Sequence, residues 1–233
     1  MNAIHQISTP EGLHDQELFW PGGLGQLNVT PIRSNFRLPV ENVCYLTAAE
    51  RKRLLVSPRP EKTQRSLAAR VATRKMLGQV LALDPASIEF VTGAEGRSRL
   101  SPIYGIGSKS FDFSVSYGPQ AYCVCLTKDR RVGVDIQRFT SKQRANFDYL
   151  FGSYFSRCEV TRLEPQQIWT RMEAYGKMEG KGLGYGMQAL YKIALDPRSA
   201  PIECHFLDYR SGAGTSLSVC LSGPASGPLC LVG

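Results

Sequence analysis

Histidine is scarce in this chain: three residues in 233, His5, His14 and His205. That scarcity argues against a histidine-rich metal centre and against a Ser-His-Asp triad. The seven cysteines (Cys44, Cys123, Cys125, Cys158, Cys204, Cys220, Cys230) include no C-x-x-C pair, so neither a zinc site nor a thioredoxin-like redox site is signalled. Their odd number and scatter predict reduced thiols, with Cys123 and Cys125 on a buried strand, AYCVCLT. No apolar run approaches the ~20 residues that span a bilayer. The start, MNAIHQISTPEGLH, has neither the basic nor the apolar region of a signal peptide. These absences predict a cytoplasmic protein without a membrane partner. Low-complexity tracts are missing too, and 42% hydrophobic content provides for one large core or two smaller ones.

Acidic residues are nearly absent from one stretch. Between Arg51 and Lys75 stand nine of the 28 basic residues, among them Arg51, Lys52, Arg53, Arg65 and Arg70, against the single acid Glu61. Such a patch attracts phosphates or an acidic protein surface, or else is a solvated helix face. Nucleic acid is disfavoured, because the window holds no aromatic residue and no recognised binding motif.

Thr47 followed three residues later by Glu50 reads as a capping box opening a helix through ERKRLL. A second helix is expected from about Glu61 to Leu83, burying Leu67, Val71, Leu77, Val80 and Leu81. SIEFV, FDFSVS and AYCVCLT follow as strands. Helical stretches resume at about 144–163 and again from Pro165 to about Glu179, where glycines break the pattern. The segments LYKIAL, IECHFLDY, SLSVCLSG and LCLVG alternate as strands do. The expected class is α+β.

Two segments carry chemistry. In VGVDIQ, strand alternation turns Val132, Val134 and Ile136 inward and leaves Asp135 and Gln137 side by side on the other face, with Gly133 keeping that face open. Two oxygen-bearing side chains at i and i+2 suit half of a Mg²⁺ site, or are surface residues near a strand end. In PQQIWTRMEAYGKMEGKGL, Trp169, Glu173 and Lys177 fall along one helical stripe. Glu173 and Lys177 read either as a helical ion pair, worth about 0.2–0.5 kcal/mol, or as a metal ligand and a phosphate partner.

Taken together these segments resemble the two-part signature of the 4'-phosphopantetheinyl transferases: a G-[IV]-D strand, then W-[ST]-x-K-E-[AS]-x-x-K running into G-K-G-L. Trp169, Thr170, Glu173, Ala174, Lys177 and Gly180-Lys181-Gly182-Leu183 match it. YFSRCE is similar to the family's F-[FS]-x-x-E element and places Glu159 at its general-base position. ERKRLL with EKTQRSLAARVATRKMLG is similar to the basic segment and long helix, with Arg65 at the usual arginine. Gly96-Arg97 resembles the G-[KR] pair, and FDFSVS the F-N-x-S-H-S strand. The resemblance covers about Glu50 to Leu183.

It implies a surfactin-type, long member of that family. The fold would be two similar α/β halves in a pseudo-twofold arrangement, 1–128 and 129–233. Each half would hold a small antiparallel-type sheet packed with helices, with the site in the cleft between them. The implied activity moves 4'-phosphopantetheine from coenzyme A to a serine of an acyl or peptidyl carrier protein with an acidic surface. The implied metal is Mg²⁺, held by Asp135, Glu173 and Gln137. Glu159 and Lys177 would be catalytic, and Arg51, Arg53, Arg65, Gly96, Arg97, Ser114, Val115, Asp135, Glu173 and Lys177 would contact coenzyme A. A monomer is implied. Four positions depart from the pattern: Val115 stands for a histidine, Gln137 for an acid, Met172 for a lysine and Ser98 for a proline. Arg171 and the cluster around Arg51 are the cations available to replace those missing. A catalytically degenerate binder of coenzyme A or of a carrier protein is the alternative, and a basic nucleic-acid-binding module a distant one.

Overall fold

The structure, a computed structural model, describes residues 5–6, 25–32, 36–93, 96–104, 111–118, 120–155, 163–210, 214–224 and 230–232. In chain order the elements are β1 (His5–Gln6), β2 (Gly25–Pro31), α1 (Ala48–Val56), α2 (Pro60–Leu81), β3 (Phe90–Thr92), β4 (Ser98–Leu100), β5 (Phe111–Tyr117) and β6 (Ala121–Lys128). The rest are β7 (Val132–Gln137), α3 (Ser141–Phe155), α4 (Pro165–Glu179), α5 (Met187–Leu195), β8 (Cys204–Arg210), β9 (Ser216–Ser222) and β10 (Cys230–Val232). The class is α+β, as expected.

The capping box at α1 forms as read: Thr47 Oγ1 accepts from the Glu50 amide and Glu50 returns the bond to the Thr47 amide. Pro60 starts α2, where its fixed φ suits the first turn, and Ala82 closes it in the left-handed region at φ 52°. LYKIAL is not a strand. Leu190, Ile193 and Ala194 recur at helical spacing and bury one face of α5 against α4, so the short apolar run was ambiguous and helical packing decided it. The strand expected in SIEFV is shorter and shifted, since Pro85–Ser87 turn in a 3-10 helix.

Among the described residues two four-stranded sheets carry the fold, in the orders β10-β2-β6-β5 and β1-β8-β9-β7. Neither is wholly antiparallel. Each has three antiparallel strands and one outer strand that runs parallel, β10 on β2 and β1 on β8. The terminal strands are thus exchanged: β1 joins the sheet of the later strands, and β10 the sheet of the earlier ones. A β3–β4 hairpin stands apart.

Helix α2 packs Leu67, Val71 and Leu77 into a core with Phe113, Val124 and Leu126. Helices α3, α4 and α5 form a second core with Phe206 and Cys220, built on Phe147, Ile168, Met172, Tyr175 and Leu190. A third core draws on both sheets, with Leu27, Cys123 and Cys125 meeting Val132, Val134, Ile136, Leu217 and Val219. Cys123, Cys125, Cys204 and Cys220 are buried free thiols. Among the described residues no helix is long and apolar enough to cross a membrane.

Candidate active site

Strand β7 is where the sheets meet. One edge pairs with β9. On the other, the side chains of β5 take the place of a strand ladder. Asp112 Oδ2, Ser114 Oγ and Ser116 Oγ accept from the amides of Val132, Val134 and Ile136, at 2.9, 3.0 and 3.3 Å. The D-x-S-x-S spacing of FDFSVS follows from this, because period-two alternation aims all three at one edge. Val132, Val134 and Ile136 turn into the shared core, as their alternation predicted, and Asp135 faces α4.

Gly133 does not keep that face open. A Cβ there would overlap the carbonyl of Ala174 and the amide of Met178, so the glycine lets the backbone of α4 rest directly on β7. That contact brings Glu173 and Lys177 to Asp135.

Asp135 is 2% exposed. Its Oδ1 accepts from Lys177 Nζ at 2.7 Å and from Ser116 Oγ at 2.8 Å. Its Oδ2 is buried with no hydrogen-bond partner among the described residues. The Lys177 ammonium also donates to the Val134 carbonyl and to Ser116 Oγ, both at 3.0 Å, and so pairs with the strand aspartate rather than with Glu173 one turn earlier. Burial pulls the Lys177 pKa down, but the charge and hydrogen bond of Asp135 outweigh it and the net shift is upward. Glu173 is pushed above the ordinary carboxylate range, first by burial and then by the Asp135 charge, with Lys177 opposing. A carboxylate strained by burial and by its neighbour's charge, next to one with an orphaned oxygen, fits a hard cation. Gln137 follows on the Asp135 side of β7, half-buried, its carbonyl accepting from Gln166. No group of three or more His, Cys, Asp or Glu lies together among the described residues, so a metal here would rest on two carboxylates plus neutral oxygens. Glu159 lies outside the described residues.

Beside Lys177 opens a cavity of about 400 Å³ walled by α2, β5, the hairpin region and the end of α4. Gly96, Arg97, Ser98, Ser114, Val115 and Lys177 all line it. Arg51, Arg53 and Arg65 do not. Arg51 is exposed and donates to the Leu46 carbonyl, Arg53 is exposed on α1, and Arg65 pairs with Glu61 at 3.6 Å. From the basic run it is Arg70 that reaches the cavity wall. Arg74 is buried and binds Glu50 through both terminal nitrogens, at 2.9 and 3.3 Å. Part of the charge read as a phosphate-attracting patch therefore holds α1 on α2.

Arg97 ties the neighbourhood together. Its Nη1 donates to the carbonyls of Lys177 and Met178 at 2.6 and 2.8 Å, and Nη2 to Asp112, Phe113 and Val132. One guanidinium thus joins the last turn of α4 to β5 and β7.

Met172 and Arg171 differ from their expected roles. Met172 is fully buried in the α4–α5 core and does not line the cavity, so the position that the resemblance gives to a lysine lies away from it. Arg171 is equally buried and binds Asp208, which leaves it no part as a substitute cation. Arg70 was read only as one of the basic run, and Asp112 and Ser116 were not read as site residues. The alternation of polar residues in FDFSVS was the available signal for the last two.

No family model matches the chain. A protein of Synechocystis sp., provisionally named as a 4'-phosphopantetheinyl transferase, is 30% identical over 145 residues, 55% of this chain and 54% of its own length. The 4'-phosphopantetheinyl transferase of Bacillus pumilus is 25% identical over 194 residues, 77% of this chain and 78% of its own. This chain spans little more than half of the Synechocystis relative. Both similarities support the phosphopantetheinyl transferase superfamily.

Proposed function

We propose that this chain transfers 4'-phosphopantetheine from coenzyme A to a serine of an acyl or peptidyl carrier protein, as a holo-carrier-protein synthase of the surfactin type. The observation that carries the reading is the convergence of Asp135, Glu173 and Lys177 beside a cavity lined with cations, on a chain similar to two proteins named for that activity.

Asp135 and Glu173 would hold Mg²⁺, with Gln137 as a neutral third ligand; when bound, the ion neutralises charge on the pyrophosphate oxygens. The chain's own part is positioning. Lys177 sits against Asp135 and the cavity, within reach of a phosphate oxygen if it leaves its strand acceptors. Glu159 takes the proton of the carrier serine, whose oxygen attacks the phosphorus bearing pantetheine while adenosine 3',5'-bisphosphate departs. The α4 backbone, seated on Gly133 and clamped by Arg97, fixes the distance between carboxylates and cavity.

The halves 1–128 and 129–233 are part of this reading. Apart from the β3–β4 hairpin and the exchanged β1 and β10, each runs strand, helices, strand, strand, with the third strand between the first two (β2-β6-β5 and β7-β9-β8), which supports a pseudo-twofold pair. A cytoplasmic monomer and an acidic carrier surface complete the proposal. The apolar Val115 in the cavity wall and the commitment of Lys177 to Asp135 favour one second reading, a degenerate homologue that binds coenzyme A or a carrier without transfer. The test is mass spectrometry of apo carrier proteins incubated with the protein and coenzyme A, with and without Mg²⁺. Mg²⁺-dependent gain of phosphopantetheine supports transfer. Coenzyme A binding with no gain on several carriers supports the degenerate reading, and tight salt-sensitive RNA or DNA binding without either overturns both.

A further inference from the structure

Among the described residues three cations line the cavity, Arg70, Arg97 and Lys177. Two of them are spoken for. The Lys177 ammonium has three hydrogens and meets three acceptors, Asp135, the Val134 carbonyl and Ser116. Arg97 spends Nη1 on two carbonyls of α4, and Nη2 on Asp112 and two strand carbonyls.

Arg70 differs. Its Nε stands 3.3 Å from Glu50 and its Nη2 donates to Ser98 Oγ at 3.2 Å. The guanidinium lies over the Phe90 ring at 5.0 Å. Carboxylate, hydroxyl and ring hold the planar group on three sides, and among the described residues no protein acceptor takes the hydrogens of Nη1. The same wall carries the hydroxyls of Ser66, Thr73 and Ser98. No carboxylate lines the cavity among the described residues. A pre-oriented guanidinium with Glu50 engaged at Nε and a spare donor edge among hydroxyls suits a phosphoryl oxygen.

We propose that Arg70 is the anion anchor of this cavity, binding a phosphoryl group of the nucleotide end of the ligand, the part that the resemblance gave to Arg51, Arg53 and Arg65. The proposal takes the identity of its ligand from the coenzyme A reading; the anion chemistry stands on the cavity itself. Val115 and Phe113 supply apolar wall beside it, so the charge on that side falls to Arg70.

Calorimetric titration with coenzyme A, 3'-dephospho-coenzyme A and adenosine 3',5'-bisphosphate tests it. Arg70→Gln should weaken coenzyme A and the bisphosphate by about 10- to 100-fold, the scale of one hydrogen bond to a charged group. Lys62→Gln, an exposed charge of the same helix away from the cavity, should change either by less than about 2-fold. A loss confined to ligands with the 3'-phosphate places Arg70 on that monoester, and an equal loss with the dephospho form places it on the pyrophosphate. Both support the anchor. Arg74 still holds Glu50 in the variant, so the α1–α2 junction keeps its pair, and a thermal melt checks this. Arg70→Lys is the second variant: it keeps the charge but not the planar fork, and should fall between wild type and Gln. Arg70-dependent binding of the bisphosphate without any binding of coenzyme A would keep the anchor and overturn the transferase reading. Equal binding of the bisphosphate by wild type and Arg70→Gln, or no binding by wild type, overturns the anchor itself.

Discussion

Arg171 and Lys177 stand on the same helix, and each reaches an aspartate on the sheet that the helix covers. Arg171 meets Asp208 of β8 through Nε and Nη2, sends Nη1 to the Ala194 carbonyl and lies over Phe206. Asp208 also accepts from Ser218, and the two side chains are 2% and 5% exposed. Lys177 meets Asp135 of β7, but the lysine is 29% exposed at a cavity wall and one aspartate oxygen has no partner among the described residues. The first pair is closed, with every side-chain nitrogen and oxygen of Arg171 and Asp208 hydrogen-bonded inside the protein. The second is open on the side of the cavity and lies next to a carboxylate, Glu173, that burial and Asp135 both strain. A buried ion pair that is fully answered serves the fold, whereas one left incomplete beside a cavity has capacity for a ligand.

The sharpest way to break this contrast is to remove the open site. Asp135→Ala and Glu173→Ala should each abolish transfer to a carrier protein while the chain remains folded, measured by mass spectrometry of the carrier and by circular dichroism. Among the described residues they are the two carboxylates proposed to hold the metal, so neither loss is shared by a third there. Substantial turnover by either variant would mean that the incomplete pair is not the metal and phosphate site.

The closed pair should answer in the other currency, stability. Arg171→Met leaves Asp208 buried without its partner, at a cost of about 3–5 kcal/mol in urea unfolding. Arg171→Met with Asp208→Leu should recover much of that loss, since a buried pair replaced by apolar groups is often near neutral. Transfer per folded molecule should persist in both. If Arg171→Met abolished transfer at undiminished stability, Arg171 would belong to the site and the contrast would fail.

The open pair was partly legible in the sequence and the closed one was not. Period two in VGVDIQ put Asp135 and Gln137 on one face, and period 3.6 put Glu173 and Lys177 on one stripe; both are local rules that hold wherever the element forms. The reading of Gly133 as a gap failed because its reason is a helix that returns from far along the chain. The same holds for Arg171 with Asp208, Arg74 with Glu50, and Arg97 with α4, β5 and β7. In each case the partner is fixed by topology, and a basic residue in a run looks alike whether it ends in solvent, in a core or on a ligand. The exchange of β1 and β10 between sheets is likewise set by pairing across the whole chain. Helix α5 was missed because six apolar-rich residues satisfy both periods.

Gln137 offers a graded change to the open site. As a neutral neighbour of Asp135 it leaves the site with one negative charge fewer than three carboxylates would give. Gln137→Glu should lower the Mg²⁺ concentration for half-maximal rate by a few-fold, about 1 kcal/mol or less for a half-exposed charge near the ion. Titration of transfer rate against Mg²⁺ measures it, and an unchanged midpoint would place Gln137 outside the metal's shell.

The smallest effect separates the two sites by pH. The Glu173 carboxyl lies above its ordinary value of 4.5 because burial, and then the Asp135 charge, disfavour its ionised form. Between the ordinary and the raised value the native state holds more protons than the unfolded chain, so stability falls as pH rises through that window. Above it, wild-type protein carries the full cost of an ionised Glu173. Glu173→Gln removes that cost and should melt above wild type at neutral pH. The advantage should shrink as pH falls through the raised value and vanish below 4.5, where wild-type Glu173 is itself protonated. Adding Mg²⁺ should raise the melting temperature of wild type and leave the variant's unmoved, because only the former keeps both carboxylates. Thermal melts from about pH 4 to about pH 8, with and without Mg²⁺, give all of these comparisons. A variant that melts below wild type at neutral pH would show Glu173 holding the fold as Asp208 does, and the strain assigned to the open site would not exist.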